Sequence, residues 1–378
     1  MKPKLMFVVN TDKFFMSHRL PIALAAIQKG FEVHVAAGLT NCTDRMRSLG
    51  LIIHPLTLDR SSRGILSNGY AFFQVLSLFM QVRPDVVHLV TIKPVLLGGL
   101  AARLTKVRCV VVAISGLGFV FVSKGLKADL RLWLVSGLYR LILGCRNQKV
   151  IFQNEDDREV LIRRSGLLRE KTVLVKGSGV DLDEYSASPL PEGTPVVMLA
   201  ARMLIDKGVR EFVGAARRLR DLGISARFVL VGIPDIGNPN TITEEELNQW
   251  VAENVVEWWG HRSDMPGVLA KCNIFVLPSF YGEGLPKVLI EAAACSRPVI
   301  TTDHPGCRDA IVPNKTGFLI PTHNTERLGE IIKTMLLDRS LCEEMGRAGR
   351  ELAEQVFDVK QVVKQHLHIY DELLQKTS

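Results

Sequence analysis

Short β-branched and apolar runs alternate with longer helical patterns almost from end to end of this chain, and that alternation constrains the fold most. The first series of strand-like runs covers 5–10, 32–37, 51–56, 86–90, 108–114, 149–153 and 172–176, with helical stretches such as 17–29 and 93–105 between them. Runs that are apolar on both faces and separated by helices require a parallel sheet, because each crossover lays a helix over one of its faces. Residues 186–194, SASPLPEGT, have linker composition, rich in Pro, Ser and Gly. The alternation then restarts at 196–201, 227–231, 255–259, 274–278, 299–302 and 318–320. The expectation is an α/β chain of two Rossmann-like, doubly wound domains, residues 1–180 and 181–357, with a hinge near 180–194. An amphipathic helix over 358–378 follows and could return to the first domain. A ligand would sit in the cleft, outside the carboxyl ends of the strands.

Charge is divided unevenly. Residues 1–172 hold 25 Lys and Arg against 11 Asp and Glu, whereas the remainder holds 22 against 28. An anionic partner is therefore expected for the first half alone: nucleic acid, anionic lipid or a phosphorylated acceptor. The seven cysteines are scattered without a C-x-x-C pair, which reads as reduced thiols rather than a zinc site or a disulfide framework. No secretory signal is visible. Two long apolar stretches, 65–82 and 130–145, are interrupted by Asn68, Gln74 and Gln81 and by Arg131 and Arg140, so both read as soluble helices.

The densest chemistry lies in 279–291, SFYGEGLPKVLIE. Gly282 and Gly284 bracket Glu283 in a turn, and Pro286 suits the first turn of a helix. Backbone N–H groups from Gly284 to about Lys287, aided by the helix dipole, would make an anion site suited to a diphosphate. Glu283 in the turn and Glu291 inside the helix could reach different parts of one ligand. The plain alternative is a helix start with one glutamate complementing the dipole and the other in solvent. Against it stands AARMLIDKG, residues 200–208: Arg202 at the end of a strand and Lys207 opening a helix put two cations on the same rim.

These motifs resemble glycosyltransferase family 4. The likeness rests on E-x₇-E at Glu283 and Glu291, R-x-x-x-x-K-G at Arg202 to Gly208, and smaller echoes at 179–181, 85–88 and 315–317. It extends over nearly the whole chain. The stretches 17–21, 115–118, 152–156 and 306–310 are most similar to enzymes adding N-acetylgalactosamine or a related sugar to undecaprenyl-diphosphate-linked saccharides. The resemblance implies the GT-B fold and a retaining hexosyltransferase acting on a nucleotide sugar, with uridine as the base. Arg202, Lys207 and the N–H groups of Gly284 and Leu285 would bind the donor diphosphate. Glu283 would hold the donor sugar and Glu291 the ribose, and the segments around Gly232 and His261 would line the base pocket. Glu283, Arg202 and Lys207 form the expected catalytic set.

Two departures concern the acceptor side. The Gly-Gly turn common after the family's first strand is replaced by residues 10–15, NTDKFF, and SGLG at 115–118 stands where a histidine is often found. His18, Ser115 and Gly116 are the acceptor candidates, although His18 could equally be a packed histidine at a helix N-terminus. Front-face displacement is expected, with the acceptor hydroxyl giving its proton to the departing phosphate. No metal or other cofactor is expected, because two cations and a helix end can balance that charge. Asp181-Leu-Asp183 is formally D-x-D but reads as a turn.

The stretch 124–145 would place Lys124, Lys127 and Arg131 on one face beside Leu126, Leu130, Trp133, Leu134 and Leu138. That pattern suits docking on an anionic bilayer or a plain solvated basic face. The expected partners are a UDP-linked donor, a lipid-linked saccharide acceptor and an anionic membrane surface, with the protein peripheral on the cytoplasmic leaflet. Rival readings are a UDP-sugar epimerase or hydrolase of the same shape and a nucleic-acid-binding protein. No helix-turn-helix, RNP or zinc pattern supports the latter, and no G-x-G-x-x-G supports an NAD enzyme.

Overall fold

The computed structural model describes residues 2–57, 65–117, 126–145 and 147–376. The chain divides into two units, Met1–Ser178 with Val359–Ser378, and Gly179–Asp358.

In the first unit, β1 (Lys4–Thr11), β2 (Glu32–Gly38), β3 (Ile52–Pro55), β4 (Val86–Val90), β5 (Cys109–Ile114), β6 (Gln148–Phe152) and β7 (Thr172–Leu174) pair in the order β3-β2-β1-β4-β5-β6-β7. All pairings are parallel. Every residue of β4 and β5 is buried, the signature of strands covered on both faces. One face carries α4 (Ile65–Val82), α5 (Ile92–Leu104), α6 (Leu126–Ile142) and α7 (Glu155–Ser165), which contribute Val75, Phe79, Val95, Tyr139, Ile142 and Leu161 to the core. The opposite face carries α1 (Asp12–His18), α2 (Leu20–Gln28) and α3 (Thr43–Ser48). The last helix of the chain, Val359–Gln375, packs on that face through Val362, Ile369, Tyr370 and Leu373. Neighbouring strands β1 and β4 mark the topological switch point, where crossovers leave in opposite directions.

Two local expectations change here. The single helix read over 17–29 is two helices that meet at Arg19, because Pro21 has no N–H to return to the carbonyl of residue 17. Residues 12–15, expected in a turn, open α1, and the Thr11 side chain caps it by accepting from the Phe14 N–H at 3.3 Å.

In the second unit, β8 (Val196–Ala200), β9 (Arg227–Val231), β10 (Glu257–Trp258), β11 (Ile274–Leu277), β12 (Val299–Thr302) and β13 (Gly317–Ile320) pair in the parallel order β10-β9-β8-β11-β12-β13. The helices are α8 (Val209–Asp221), α9 (Glu244–Ala252), α10 (Met265–Ala270), α11 (Lys287–Ala294), α12 (Thr325–Leu337) and α13 (Arg339–Leu352), and the terminal helix becomes α14. Apolar cores lie on both faces of this sheet. Its switch point falls between β8 and β11.

The segment 186–194 is not an interdomain hinge. It belongs to the second unit, where the fully buried Arg297 donates to the carbonyls of Ser188 and Pro189. Asn273 Nδ2 donates to the Pro191 carbonyl at 2.9 Å. Pro, Ser and Gly announce irregular backbone, but not which distant donors satisfy its carbonyls. The chain changes unit between Ser178 and Gly179 and again between Asp358 and Val359. Asp181 forms a turn, its Oδ1 accepting from the Asp183 and Glu184 N–H groups at 3.0 and 3.3 Å. Among the described residues, no helix is long and apolar enough to cross a membrane.

Candidate functional site

The second unit gathers its candidate residues at the carboxyl edge of β8 and β11. Arg202 follows β8 by two residues, is largely exposed, and pairs with Asp235 beyond the end of β9. Lys207 ends a single 3₁₀ turn, Ile205–Lys207, closed by Gly208 in the left-handed region at φ +74°. A Cβ at Gly208 would come within 2.3 Å of the Pro278 carbonyl oxygen. Only glycine therefore lets this turn lie against the end of β11. That closeness brings the Lys207 Nζ to 2.6 Å from Glu283 Oε1. Both side chains are mostly buried, so their pair is screened far less than one in open water.

The loop after β11 is bound to the Lys207 turn at several points. Phe280 N–H donates to the Asp206 carbonyl at 3.0 Å. Ser279 Oγ lies 3.1 Å from the same carbonyl and 2.7 Å from Glu283 Oε1. Asn240 Nδ2 holds the Asp206 carboxylate at 3.0 Å. Glu283 is thus fixed by a cation and a hydroxyl, on a loop that has no helix or strand of its own. Gly306, at φ +83°, braces the next residue: a Cβ there would stand 2.2 Å from the Gly284 carbonyl oxygen. Gly284 and Leu285 are buried, and Pro286 is the N-cap of α11 rather than a residue of its first turn.

Glu291 is 6% exposed, inside α11. Lys287 Nζ lies 3.2 Å away, one turn earlier. Burial first, and then the Glu291 carboxylate that accepts from its hydroxyl, raise the Tyr185 phenol far above its usual value. Tyr185 therefore stays protonated and donates to Glu291. Gly232, at φ +135°, ends β9 so close to the Ala201 carbonyl that a Cβ would stand 1.8 Å from its oxygen. Its N–H donates to the Gly260 carbonyl at 2.8 Å, and the Gly232 carbonyl accepts from Trp258 Nε1 at 2.7 Å. His261 follows in the open. Arg202, Gly232 and the Gly260–His261 turn consequently share one edge.

In the first unit, His18 is the last residue of α1, not a helix N-terminal residue. Its ring stacks on Phe14 at 4.3 Å, and its Nδ1 lies 2.5 Å from Ser17 Oγ. A histidine there favours the negative end of the helix dipole. Ser115 and Gly116 follow β5, and Gly116 takes φ +100°. Arg19 joins the two candidates, with Nη1 2.9 Å from the His18 carbonyl and Nη2 3.4 Å from Ser115 Oγ. Gly118 and Lys124 lie outside the described residues, as do the side chains of Leu126, Lys127, Leu130 and Arg131.

Sequence reasoning missed Asp235, Ser279, Tyr185, Gly306 and Arg19. Ser279, Gly306 and Arg19 lay inside stretches already singled out. Asp235 left no signal, because the distance in sequence between it and Arg202 follows from sheet order alone.

A family model described as "Glycosyl transferases group 1" matches residues 183–352, and one described as "Glycosyl transferase 4-like" matches 4–154. The chain is 31% identical to the N,N'-diacetylbacillosaminyl-diphospho-undecaprenol alpha-1,3-N-acetylgalactosaminyltransferase of Campylobacter jejuni, covering 95% of this chain and 98% of that relative. It is 26% identical to the putative glycosyltransferase EpsD of Bacillus subtilis, over 98% of this chain and 97% of the relative. Among solved structures, the UDP complex of Anabaena HepE superposes with a TM-score of 0.79 at 19% identity, covering 98% of this chain and all of that one. A glycosyltransferase from Rickettsia africae gives 0.78 at 18% identity, over 99% of each chain. With both sheets parallel and both halves matched, the chain belongs to glycosyltransferase family 4 and has the two-Rossmann-domain GT-B fold.

Proposed function

We propose that this glycosyltransferase moves an N-acetylhexosamine, N-acetylgalactosamine foremost, from a UDP-sugar to a polyprenyl-diphosphate-linked saccharide, with retention at the anomeric carbon. The observation that carries the donor half is the Lys207–Glu283–Ser279 cluster beside Arg202 at the switch point of the second sheet. Two cations on that edge suit a diphosphate, and a carboxylate fixed between a cation and a hydroxyl suits sugar hydroxyls. The Campylobacter relative's name supports the acceptor and the sugar, and the UDP complexes of HepE support the base. As the bond to the leaving phosphate breaks, Arg202 and Lys207 take up the growing charge and the acceptor hydroxyl passes its proton to that phosphate. This assignment needs no metal, because the charge is met by side chains already in place.

A ligand that binds only the folded state raises its melting temperature. UDP or a UDP-sugar is therefore expected to raise the apparent Tm of the wild type, but not of Arg202→Ala or Glu291→Gln. No shift with any nucleotide would remove the donor assignment.

The same reading places the protein peripherally on the cytoplasmic face of a membrane. Leu66, Tyr70, Phe73 and Met80 form one exposed stripe along α4, and Trp133 and Leu134 are exposed on α6, with α5 between the two helices. Residues 65–145 hold nine Lys and Arg against two Asp and Glu. An apolar stripe on a segment of basic composition matches an anionic bilayer interface. Flotation with vesicles containing anionic lipid should carry the protein, and Phe73→Glu should lower the bound fraction several-fold. Equal flotation of both proteins, or self-association in place of vesicle binding, would overturn this surface.

A further inference from the structure

Two arginines are fully or almost fully buried without a carboxylate among the described residues, and they differ in a telling way. Arg297 is saturated: Nε donates to the Cys295 carbonyl, Nη1 to that of Cys272, and Nη2 to those of Ser188 and Pro189. That is a structural guanidinium, spent on carbonyls. Arg19 is 2% exposed, yet among the described residues it has only the His18 carbonyl and a long contact to Ser115 Oγ. Its Nε is buried with no partner.

Among the described residues, the surroundings of Arg19 supply no opposing charge. His88 is fully buried on β4, its Nδ1 2.6 Å from the Tyr370 hydroxyl, and the His366 ring stacks on it at 5.5 Å. His366 donates from Nδ1 to the Val362 carbonyl at 2.8 Å, and burial, followed by the Arg19 charge, lowers its pKa to about 3. Burial also holds His88 well below its usual value. Both imidazoles are neutral at physiological pH, and the Tyr370 phenol, its pKa raised by burial, stays protonated. Arg19 itself, lowered by burial to about 10, keeps its proton. Among the described residues, therefore, nothing compensates this positive charge in its low-dielectric layer, where its field reaches furthest.

Its reach ends at the first unit's switch point. Arg19 follows β1 and α1, and Ser115 follows β5, so Arg19 Nη2 meets the sheet at its carboxyl edge beside β4. At the end of β4, Thr91 takes φ +72° and leaves its Oγ1 buried without a partner. A guanidinium cannot accept a hydrogen bond, so Ser115 Oγ must accept from Arg19, and its own proton is left to donate elsewhere. No acceptor for it exists among the described residues. A cation held back and a hydroxyl with a proton left to give describe a place for phosphoryl oxygen.

We propose that Arg19 is a positioning residue that makes the first unit select acceptors bearing a phosphoryl anion, holding Ser115 as a donor toward that anion and supplying the counter-charge behind it. This rests on the reading that the first unit takes the acceptor.

The test compares one saccharide on a short prenyl diphosphate and on a neutral alkyl aglycone, at saturating UDP-sugar and with no phospholipid present. Without phospholipid, a lipid headgroup cannot supply the phosphate. The wild type should favour the diphosphate. Arg19→Gln should cut that preference about tenfold or more through KM for the diphosphate acceptor, with kcat/KM for the neutral acceptor changed less than about threefold. Arg19→Lys, which keeps the charge, should restore most of the preference. Equal loss on both acceptors, identical behaviour of the Lys and Gln variants, or a wild type without preference would each overturn the proposal. Should Arg19→Gln show no cooperative melt, Ser115→Ala decides: its preference should fall several-fold, and an unchanged preference overturns the proposal. A wild type inert toward both acceptors, yet stabilised by UDP, would refute the acceptor reading and this inference with it.

Discussion

Lys207→Ala is expected to lower kcat by about 10²- to 10³-fold, the usual cost of removing a preorganised group that meets charge developing in the transition state. Two consequences of the geometry add up. The ammonium that would face the leaving phosphate is gone, and Glu283 loses the partner 2.6 Å from its Oε1. Ser279 Oγ remains 2.7 Å from that oxygen, so the loop keeps an anchor, but a poorly neutralised carboxylate now repels the incoming diphosphate. The double variant Lys207→Ala/Glu283→Gln separates the two effects. If Lys207 serves only to neutralise Glu283, removing both charges restores most of the rate. If Lys207 acts on the leaving group, the rate stays low although donor affinity recovers. Steady-state kcat and KM for the donor make the measurement, and a single variant within threefold of wild-type kcat would remove Lys207 from the catalytic set.

The parts of this architecture that could be read from sequence are those whose cause is local. Strands such as β4 and β5 announce themselves because each of their residues is buried and each is apolar or pairs within the layer. The Lys207–Gly208 pair is legible because glycine is required where that turn approaches the Pro278 carbonyl, and the Glu283 turn because Gly282 and Gly284 bracket it. What escaped depends on partners far along the chain. Asp235 meets Arg202 only because β9 lies beside β8. Segment 186–194 looks like a linker until Arg297, more than a hundred residues later, is seen to hold its carbonyls. The split at Arg19 follows from Pro21, which lacks the N–H that a single helix over 17–29 would need. No pattern of spacing could reveal that Arg19 has no counter-ion among the described residues, because that depends on which groups the folded layer brings around it.

Gly306→Ala should be nearly as damaging as a change at Lys207, although Gly306 carries no functional group. Its φ of +83° costs a residue with a Cβ about 1–2 kcal/mol. That alone would be tolerable. The larger effect is steric, because the new Cβ would stand 2.2 Å from the Gly284 carbonyl oxygen and 2.6 Å from that of Glu283. Both obstacles are backbone and cannot rotate aside, so the 283–284 turn must move. A displacement of about 1 Å at a positioning loop can cost on the order of 10²-fold in rate. Gly193→Ala is the matched control: it has the same left-handed backbone at φ +82° and nothing within 4 Å of its Cβ. The expected result is a small loss of Tm in Gly193→Ala and a larger one in Gly306→Ala, with transfer and UDP-induced stabilisation lost only in Gly306→Ala. Equal activity in the two would mean that the Glu283 turn tolerates displacement, and would place donor recognition on Arg202 and the Gly232 edge instead.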